Sequence, residues 1–228
     1  MIGIVRAMFD RIRGVINSRP EDKRSFDQRL EDLQRFASDL TSDPNWLKKT
    51  ELPRDSDFAF IGKFVQVYCS ADLNARATIN AMRFINKAEI ADFAGSLNDT
   101  DVILHLNICA SEWIGAPHIA EGVRKAASTL EMHRIHRHGF AHWVVRKVPG
   151  RNALVILTKN AKEAIRRDNS AQDREEAKFG IVQLSPLRHE LDKLMGHSDY
   201  LGQLADYLEA NRGLLRSEHS SQSSPAQL

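Results

Sequence analysis

Between Asp57 and about Lys87, apolar residues recur at steps of three and four, which is the spacing of one face of an α-helix. The apolar stripe is interrupted at a single position, which is occupied by Asp72. A carboxylate on a buried stripe is costly unless it is paired, and Arg76, one turn later, is the nearest candidate partner. The segment predicts one long helix and, with it, a mainly α-helical fold.

The same periodicity predicts further helices elsewhere in the chain, over residues 1–17, 22–40, 99–113, 117–147 and 186–212. Pro149 and Gly150 are expected to end the helix that begins near residue 117. Beyond them, 153–158 and 179–184 are short β-type runs that are expected to pair antiparallel, as a small two-stranded element. The connection 159–178 has six Lys/Arg and five Asp/Glu, and is expected to be a solvated loop or a short helix.

The pattern divides the chain into N-terminal helices over residues 1–50, a helical bundle over 51–216 and a disordered tail over 217–228, which holds five serines and a proline. The amphipathic helix over 1–17 either packs on the bundle or lies on a membrane surface.

Composition excludes several classes of protein. With 228 residues, of which 42% are hydrophobic and 27% charged, the chain is expected to be a globular domain rather than disordered or fibrous. No stretch approaches the length of a transmembrane helix, and charged residues stand where a signal peptide would be apolar. The two cysteines fit a reducing cytoplasm. A net charge of +2 gives no global argument for nucleic-acid binding, so such an argument must rest on local clustering.

Local clustering occurs on the helix predicted over 117–147. Four of the nine histidines fall within ten residues, namely His133, His136, His138 and His142. Between Glu121 and Arg151 the chain has seven Lys/Arg and two Asp/Glu, which is a local balance of +5. Helical spacing places Arg134, His138 and His142 on one stripe, whereas Arg137 lies about 140° around from His142. This helix therefore predicts an anion site.

The string Arg137-His138-Gly139-Phe140-Ala141-His142 resembles the Arg-x4-His signature of the HEPN superfamily, the helical RNA- and nucleotide-binding domains of prokaryotic toxins, phage-defence systems and ribonucleases. The resemblance covers about residues 57–212. It implies an up-and-down helical bundle and a homodimer whose signature helices meet at the site. It also implies metal-independent cleavage of RNA without a cofactor, and an antitoxin protein that restrains the enzyme.

The chemistry of the residues is consistent with that implication. RNA carries its own nucleophile, the 2′-hydroxyl, so a cleaving site needs a group that transfers protons and a cation that stabilises charge on the phosphoryl oxygens. Histidine and arginine supply these two functions near neutral pH. We therefore assign proton transfer to His142, phosphate binding to Arg137, and orientation of the pair or phosphate contact to His138. The expected products are a 2′,3′-cyclic phosphate and a 5′-hydroxyl.

Supporting roles are assigned to four residues. Asp72 or Arg76 would hold Arg137 or shape the pocket, and Arg134 and Arg146 would contact RNA phosphates. For Asp72 and Arg76, a structural ion pair is the alternative to a catalytic role.

Three alternatives to the nuclease remain open. The histidines could form a solvated or dimer-facing helix surface. They could bind zinc, with His138 and His142 as ligands and His105 or His118 as a third. The chain could also be a non-catalytic HEPN-like module that binds RNA or nucleotide and signals through another surface.

Overall fold

The computed structural model describes residues 26–87, 92–158 and 178–222. These ranges contain six α-helices and one three-stranded antiparallel sheet. The helices are α1 (Phe26–Thr41), α2 (Asp55–Lys87), α3 (Asp99–Glu112), α4 (Pro117–His142), α5 (Leu184–Ala210) and α6 (Arg212–Gln222). The strands are β1 (Val144–Lys147), β2 (Ala153–Thr158) and β3 (Lys178–Gln183). A mainly α-helical fold with a small β element is thus confirmed, while the helix expected over 1–17 and nearly all of the connection 159–178 lie outside the described residues.

Local signals account for where the helices begin and end. After α1 the chain turns at Asp43, whose carboxylate accepts a hydrogen bond of 2.9 Å from the backbone N–H of Asn45. Helix α3 begins after Asn98, whose side chain accepts hydrogen bonds of 3.0 Å from the backbone N–H groups of Thr100 and Asp101. Both boundaries agree with the sequence prediction.

The prediction that α4 continues to residue 147 is wrong. The helix ends at His142, and the next residues form β1, which pairs with β2 in the register Val144↔Leu157 to Lys147↔Leu154. Val144 and Val145 are β-branched, which favours a strand once a partner strand is available. Pro149 and Gly150 therefore lie in the turn between two strands, where Gly150 has φ 65°.

The β element consequently has three strands rather than the predicted two, in the order β1-β2-β3. The expected antiparallel pairing of the second and third strands is confirmed, from Ala153↔Gln183 to Thr158↔Lys178. At the chain's end, residues 217–222 complete α6 where a disordered tail was expected, and 223–228 lie outside the described residues.

The described residues form two compact units. The sheet unit comprises residues 26–62, 138–158 and 178–189, and the helical unit comprises 63–87, 92–137 and 190–222. Helices α2, α4 and α5 each contribute residues to both units. The domain boundaries predicted from the sequence are not tested by this division and stay predictions.

The core of the helical unit is built on the apolar stripe of α2. Its buried members are Phe64, Tyr68, Ala71, Ala75, Ile79 and Met82. Ala71 bridges the gap in the predicted stripe, so Asp72 lies at the border of the stripe and is half-buried. No helix in the described ranges is both long enough and apolar enough to cross a membrane.

In the sheet unit, the central strand β2 supplies the core. Ala153, Leu154 and Val155 are almost completely buried. Phe36 and Leu40 of α1 pack against the cluster formed by Val148, Ala153 and Val155, as does Trp46.

Candidate functional site

The predicted motif forms the last turns of α4. Gly139 and Phe140 are buried in the sheet unit, and a Cβ at position 139 would lie 3.1 Å from Cγ2 of Ile156 on β2. Glycine therefore permits a close approach of the helix to the sheet. Phe140 is buried, whereas Arg137 and His138 are half-buried and His142 is exposed.

His138 and His142 form a pair of adjacent imidazoles at the end of α4. Their ring centroids are 4.7 Å apart with an interplanar angle of 53°, and the ring of His138 also meets Trp143 edge-on at 5.8 Å. His142 is exposed and His138 is half-buried. Two imidazoles this close can act on the same small anionic group, one as proton acceptor and the other as proton donor.

Arg137 has a different set of neighbours, in the helical unit. Its Nη1 lies 3.5 Å from Oδ2 of Asp99, and its guanidinium carbon lies 5.9 Å from the ring centroid of Tyr68. The Nε atom is buried and has no hydrogen-bond partner among the described residues. The side chain is 26% exposed, so the guanidinium is held at the surface by a carboxylate and an aromatic face.

Asp99 was not singled out from the sequence. It is the first residue of α3, where an acidic residue is typical of a helix N-terminus, and that pattern gave no reason to expect a contact with α4.

Tyr68 lies among charged groups of the helical unit. Burial raises the pKa of its hydroxyl strongly, and the nearby carboxylates of Asp99 and Asp72 raise that pKa further. The guanidinium groups of Arg134 and Arg137 act in the opposite direction. The phenol therefore stays protonated at neutral pH and can donate a hydrogen bond.

Asp72 and Arg76 form the predicted ion pair, with Nε of Arg76 2.8 Å from Oδ2 of Asp72. Arg76 also donates to the backbone carbonyls of Ala94 and Leu97, at 2.7 and 2.9 Å. These bonds tie the segment between α2 and α3 to α2. The pairing is confirmed, and these contacts favour the structural alternative for both residues. The carboxylate that contacts Arg137 is Asp99.

The other cations of the predicted basic surface also have protein partners. Nη2 of Arg134 lies 3.3 Å from Oε1 of Glu131. Nη2 of Arg146 donates to the backbone carbonyl of Thr50 at 2.7 Å, and its Nε donates to the hydroxyl of the same residue at 3.3 Å. A role for Arg134 and Arg146 in phosphate binding stays a prediction, and the contact with Thr50 gives Arg146 a structural task as well.

The four histidines do not form one cluster. His133 is 1% exposed and packs edge-on against Phe64, with a centroid distance of 5.7 Å, and its Nε2 lies 3.4 Å from Oε2 of Glu190. His136 also faces Phe64, at 6.3 Å. Because helical residues advance by about 100°, His133 and His142 project from opposite sides of α4. His133 therefore belongs to the core, His136 and His138 are half-buried, and His142 is exposed.

Burial and neighbouring side chains shift the pKa values of His136 and Glu190. Burial, with a smaller contribution from His133, lowers the pKa of His136 to about 4. The hydrogen-bonding interaction with His133 is the main cause that lowers the pKa of Glu190 to about 2, and Lys193 adds to it at 2.9 Å. At 3.4 Å the contact between His133 and Glu190 is long, and Nε2 of His133 has no hydrogen bond within the described residues, so the bond from Lys193 at 2.9 Å is the better defined of the two.

The described residues contain no group of three or more His, Cys, Asp or Glu side chains that could hold a metal ion. The third ligand that the zinc interpretation needs beside His138 and His142 is therefore missing from this part of the chain.

Comparisons with known proteins give no family assignment: no protein-family model matches the chain, and no similarity to a curated protein or to a solved structure is significant.

Proposed function

We propose that the chain is a metal-independent endoribonuclease of the toxin or phage-defence type, similar to HEPN-type ribonucleases. The observation that carries the proposal is the pair of imidazoles at the end of α4, with ring centroids 4.7 Å apart and His142 exposed. Cleavage next to a 2′-hydroxyl needs a proton acceptor and a proton donor within reach of one phosphodiester, and this pair supplies both functions.

In the proposed reaction, a neutral imidazole accepts the proton of the 2′-hydroxyl as that oxygen attacks phosphorus. The bond from phosphorus to the 5′-oxygen breaks, and a protonated imidazole gives its proton to the leaving oxygen. The products are a 2′,3′-cyclic phosphate and a 5′-hydroxyl. His142 is assigned proton transfer because it is the exposed member of the pair. His138 either contacts the phosphate in its protonated form, from which the leaving oxygen takes its proton, or orients His142, which then accepts the first proton and gives it to the leaving oxygen.

Arg137 is assigned to the phosphoryl oxygens, on which negative charge grows during the reaction. Because Arg137 lies about 140° around α4 from His142, we propose that the Arg137 of one copy of the chain meets the imidazole pair of a second copy at the same phosphate. Its guanidinium carbon lies 5.9 Å from the ring centroid of Tyr68 and its Nη1 lies 3.5 Å from Oδ2 of Asp99, and these two neighbours restrict the direction of the guanidinium. An arginine held in this way loses less conformational freedom on binding a phosphate than a freely rotating one.

Two copies of the chain are proposed to form the active species. The side chains of Met132 and Ile135, on the same helix, are 54% and 49% exposed, and large apolar groups exposed on one face favour association. Sedimentation is expected to show a dimer, and full activity in a strict monomer would contradict this part of the proposal. An active enzyme of this kind also needs a restraining partner, which we propose to be an antitoxin protein.

The test is to incubate the purified chain with RNA in the presence of a chelator and to identify the products by mass spectrometry. Cleavage is expected to continue and to leave 2′,3′-cyclic phosphates. His142→Ala is expected to lose about 100-fold or more in rate, as is typical when a general acid or base is removed. His118→Ala serves as the control, because that histidine is also exposed on α4.

Two results would overturn the mechanism: undiminished cleavage in His142→Ala, or complete loss of cleavage on addition of the chelator. Arg137→Ala tests the phosphate-binding role separately, with Arg35→Ala as its control, since Arg35 is exposed on α1.

A second candidate function follows from the contacts of Arg137 and Arg146. Arg137 is paired with Asp99 and Arg146 is bonded to Thr50, so neither guanidinium stands free beside the imidazole pair, as a catalytic role would favour. A module that binds RNA or nucleotide without cleaving it does not need that arrangement. RNA binding without cleavage in the wild-type chain would favour this non-catalytic module.

A further inference from the structure

Two neighbouring hollows in the sheet unit have two lining residues in common. The first has a volume of about 260 Å³ and lies between α1, the segment after it and the turn that follows β1. The second has a volume of about 240 Å³ and lies between the same turn and the start of α5. Phe36 and Arg151 line both hollows, and the guanidinium carbon of Arg151 lies 5.8 Å from the ring centroid of Phe36.

The lining of the first hollow combines flat apolar surfaces with charges of both signs. Phe36 and Trp46 are half-buried and supply aromatic faces. Asp39 also lines this hollow, is exposed, and has no side-chain hydrogen bond or ion pair within the described part of the chain. Lys49 and Arg151 add positive charge, although Lys49 is ion-paired with Asp43.

This combination fits a nucleotide better than an apolar ligand or a simple anion. Aromatic side chains stack on the face of any base, and stacking is worth about 1–3 kcal/mol per base in single-strand binding sites. A volume of about 260 Å³ is below the size typical of drug-sized ligands and is suited to one planar base. Arginine binds phosphate oxygens through its planar guanidinium.

The free carboxylate of Asp39 adds selectivity. Guanine presents two adjacent N–H donors on its Watson–Crick edge, and a carboxylate can accept both. Adenine and cytosine each present one donor group there beside an acceptor, and uracil presents a single N–H between two acceptors. Of the four bases, guanine therefore complements Asp39 best.

The second hollow has polar side chains in its lining beside the apolar Phe36, Ala153 and Pro186. Asn152, Gln183 and Ser185 contribute amide and hydroxyl groups, and Nδ2 of Asn152 donates to Oγ of Ser185 at 2.7 Å. Such groups can bond to a ribose or to the edge of any base. Because Arg151 lies between the two hollows, a phosphate joining two nucleotides could meet its guanidinium.

We propose that the two hollows bind two successive nucleotides of single-stranded RNA, with guanine in the first hollow and the linking phosphate on Arg151. This inference rests on the proposed function, for which it specifies the substrate: RNA that is single-stranded and contains guanine. The site is separate in its residues from the imidazole pair of α4.

Binding is measured by calorimetry with the dinucleotides GpG and UpU carrying 2′-O-methyl groups, which cannot be cleaved because they lack the nucleophile. The wild-type chain is expected to bind GpG more tightly than UpU. Asp39→Asn is expected to weaken GpG binding about tenfold and to leave UpU binding unchanged, because only guanine uses both carboxylate oxygens. Arg151→Gln is expected to weaken both about tenfold.

Arg35→Gln is the matched control, because Arg35 is exposed on α1 and does not line either hollow. Equal affinities for GpG and UpU in the wild-type chain would overturn the proposal, as would an effect of Arg151→Gln no larger than that of Arg35→Gln. Free GMP bound as tightly as GpG would overturn the two-nucleotide arrangement and assign the first hollow to a free nucleotide.

The outcomes separate this proposal from the nuclease. His142→Ala is expected to bind GpG like the wild-type chain while losing cleavage. If the wild-type chain binds GpG as described but cleaves no RNA, the nuclease fails and the binding site stands. If it cleaves RNA through His142 but binds GpG and UpU equally, the binding site fails and the nuclease stands.

Discussion

Arg137 and Asp99 form an ion pair between α4 and α3, with Nη1 3.5 Å from Oδ2. The pair joins the arginine of the predicted motif to a carboxylate that was not part of the prediction. A phosphate that binds Arg137 must compete with this carboxylate and also experiences its negative charge. Asp99 therefore controls how available the guanidinium is.

Asp99→Asn is expected to increase RNA affinity by a few-fold at low ionic strength, because one negative charge beside the phosphate site is removed. The gain is expected to shrink in high salt, where exposed charges are screened. Affinity for single-stranded RNA, measured by fluorescence anisotropy at two salt concentrations, checks both expectations.

The control for this change is Asp101→Asn, which removes a carboxylate from the same first turn of α3. Asp101 accepts a hydrogen bond from the side chain of Asn98, and within the described part of the chain neither a hydrogen bond nor an ion pair joins it to Arg137. If both variants raise RNA affinity equally, the effect belongs to net charge and the role given to Asp99 is wrong.

Much of the helical framework could be predicted from the sequence because the information is local. The spacing of the apolar residues predicted α2. The one interruption of that spacing, at Asp72, correctly implied that its partner stands at position 76. The error at the end of α4 has a different origin. Val144 and Val145 continue the helical segment in sequence, and only pairing with Leu157 and Ile156 makes them a strand. This pairing joins the two strands of a hairpin, and the spacing of apolar residues within one segment does not reveal it.

In the candidate site too, a local pattern predicted some contacts and missed others. The adjacency of His138 and His142 follows from a spacing of four residues and was predicted. The burial of His133 was not predicted, although the advance of about 100° per residue already places it on the opposite side of α4 from His142. The contact of Asp99 with Arg137 depends on how α3 and α4 pack, which no local pattern reveals.

Lys147 and Asp57 give a prediction about stability in the sheet unit. Nζ of Lys147 lies 3.1 Å from Oδ1 of Asp57, and the side chains are 12% and 4% exposed. Lys147→Met is expected to lower the free energy of unfolding by about 3 kcal/mol, because it leaves a buried carboxylate without its cation. Denaturant unfolding measures the loss.

A second substitution separates the lost charge from lost packing at this pair. Asp57→Asn in the Lys147→Met background is expected to recover part of the stability, since the uncompensated charge is gone. The backbone N–H of Arg54 still finds an acceptor at position 57, because an asparagine side chain keeps one carbonyl oxygen. A double variant less stable than the single one would contradict the charge explanation.

Arg76 gives a prediction about the segment between α2 and α3. Arg76→Met removes the bonds to the carbonyls of Ala94 and Leu97 and leaves Asp72 unpaired, so a loss of about 2–3 kcal/mol is expected. Asp72→Asn keeps the two carbonyl bonds and is expected to cost about 1 kcal/mol. Hydrogen exchange of residues 94–98 should accelerate in the first variant only. Equal acceleration in both would show that the ion pair, rather than the carbonyl bonds, holds the segment.

The shifted pKa values of His136 and Glu190 predict how stability depends on pH. Because burial holds the pKa of His136 near 4, against 6.5 for an ordinary histidine, the unfolded chain binds the proton first as pH falls. Stability is therefore complete above pH 6.5 and declines by up to about 3 kcal/mol as the pH falls from 6.5 to 4. Glu190, with a pKa lowered from 4.5 to about 2, extends the decline below pH 4.5.

Denaturant unfolding of His136→Gln between pH 7 and 4 should show a flatter profile than the wild type, whereas His142→Gln, at an exposed position, should keep the wild-type slope. Parallel profiles for the wild type and His136→Gln would contradict burial of a neutral imidazole at 136.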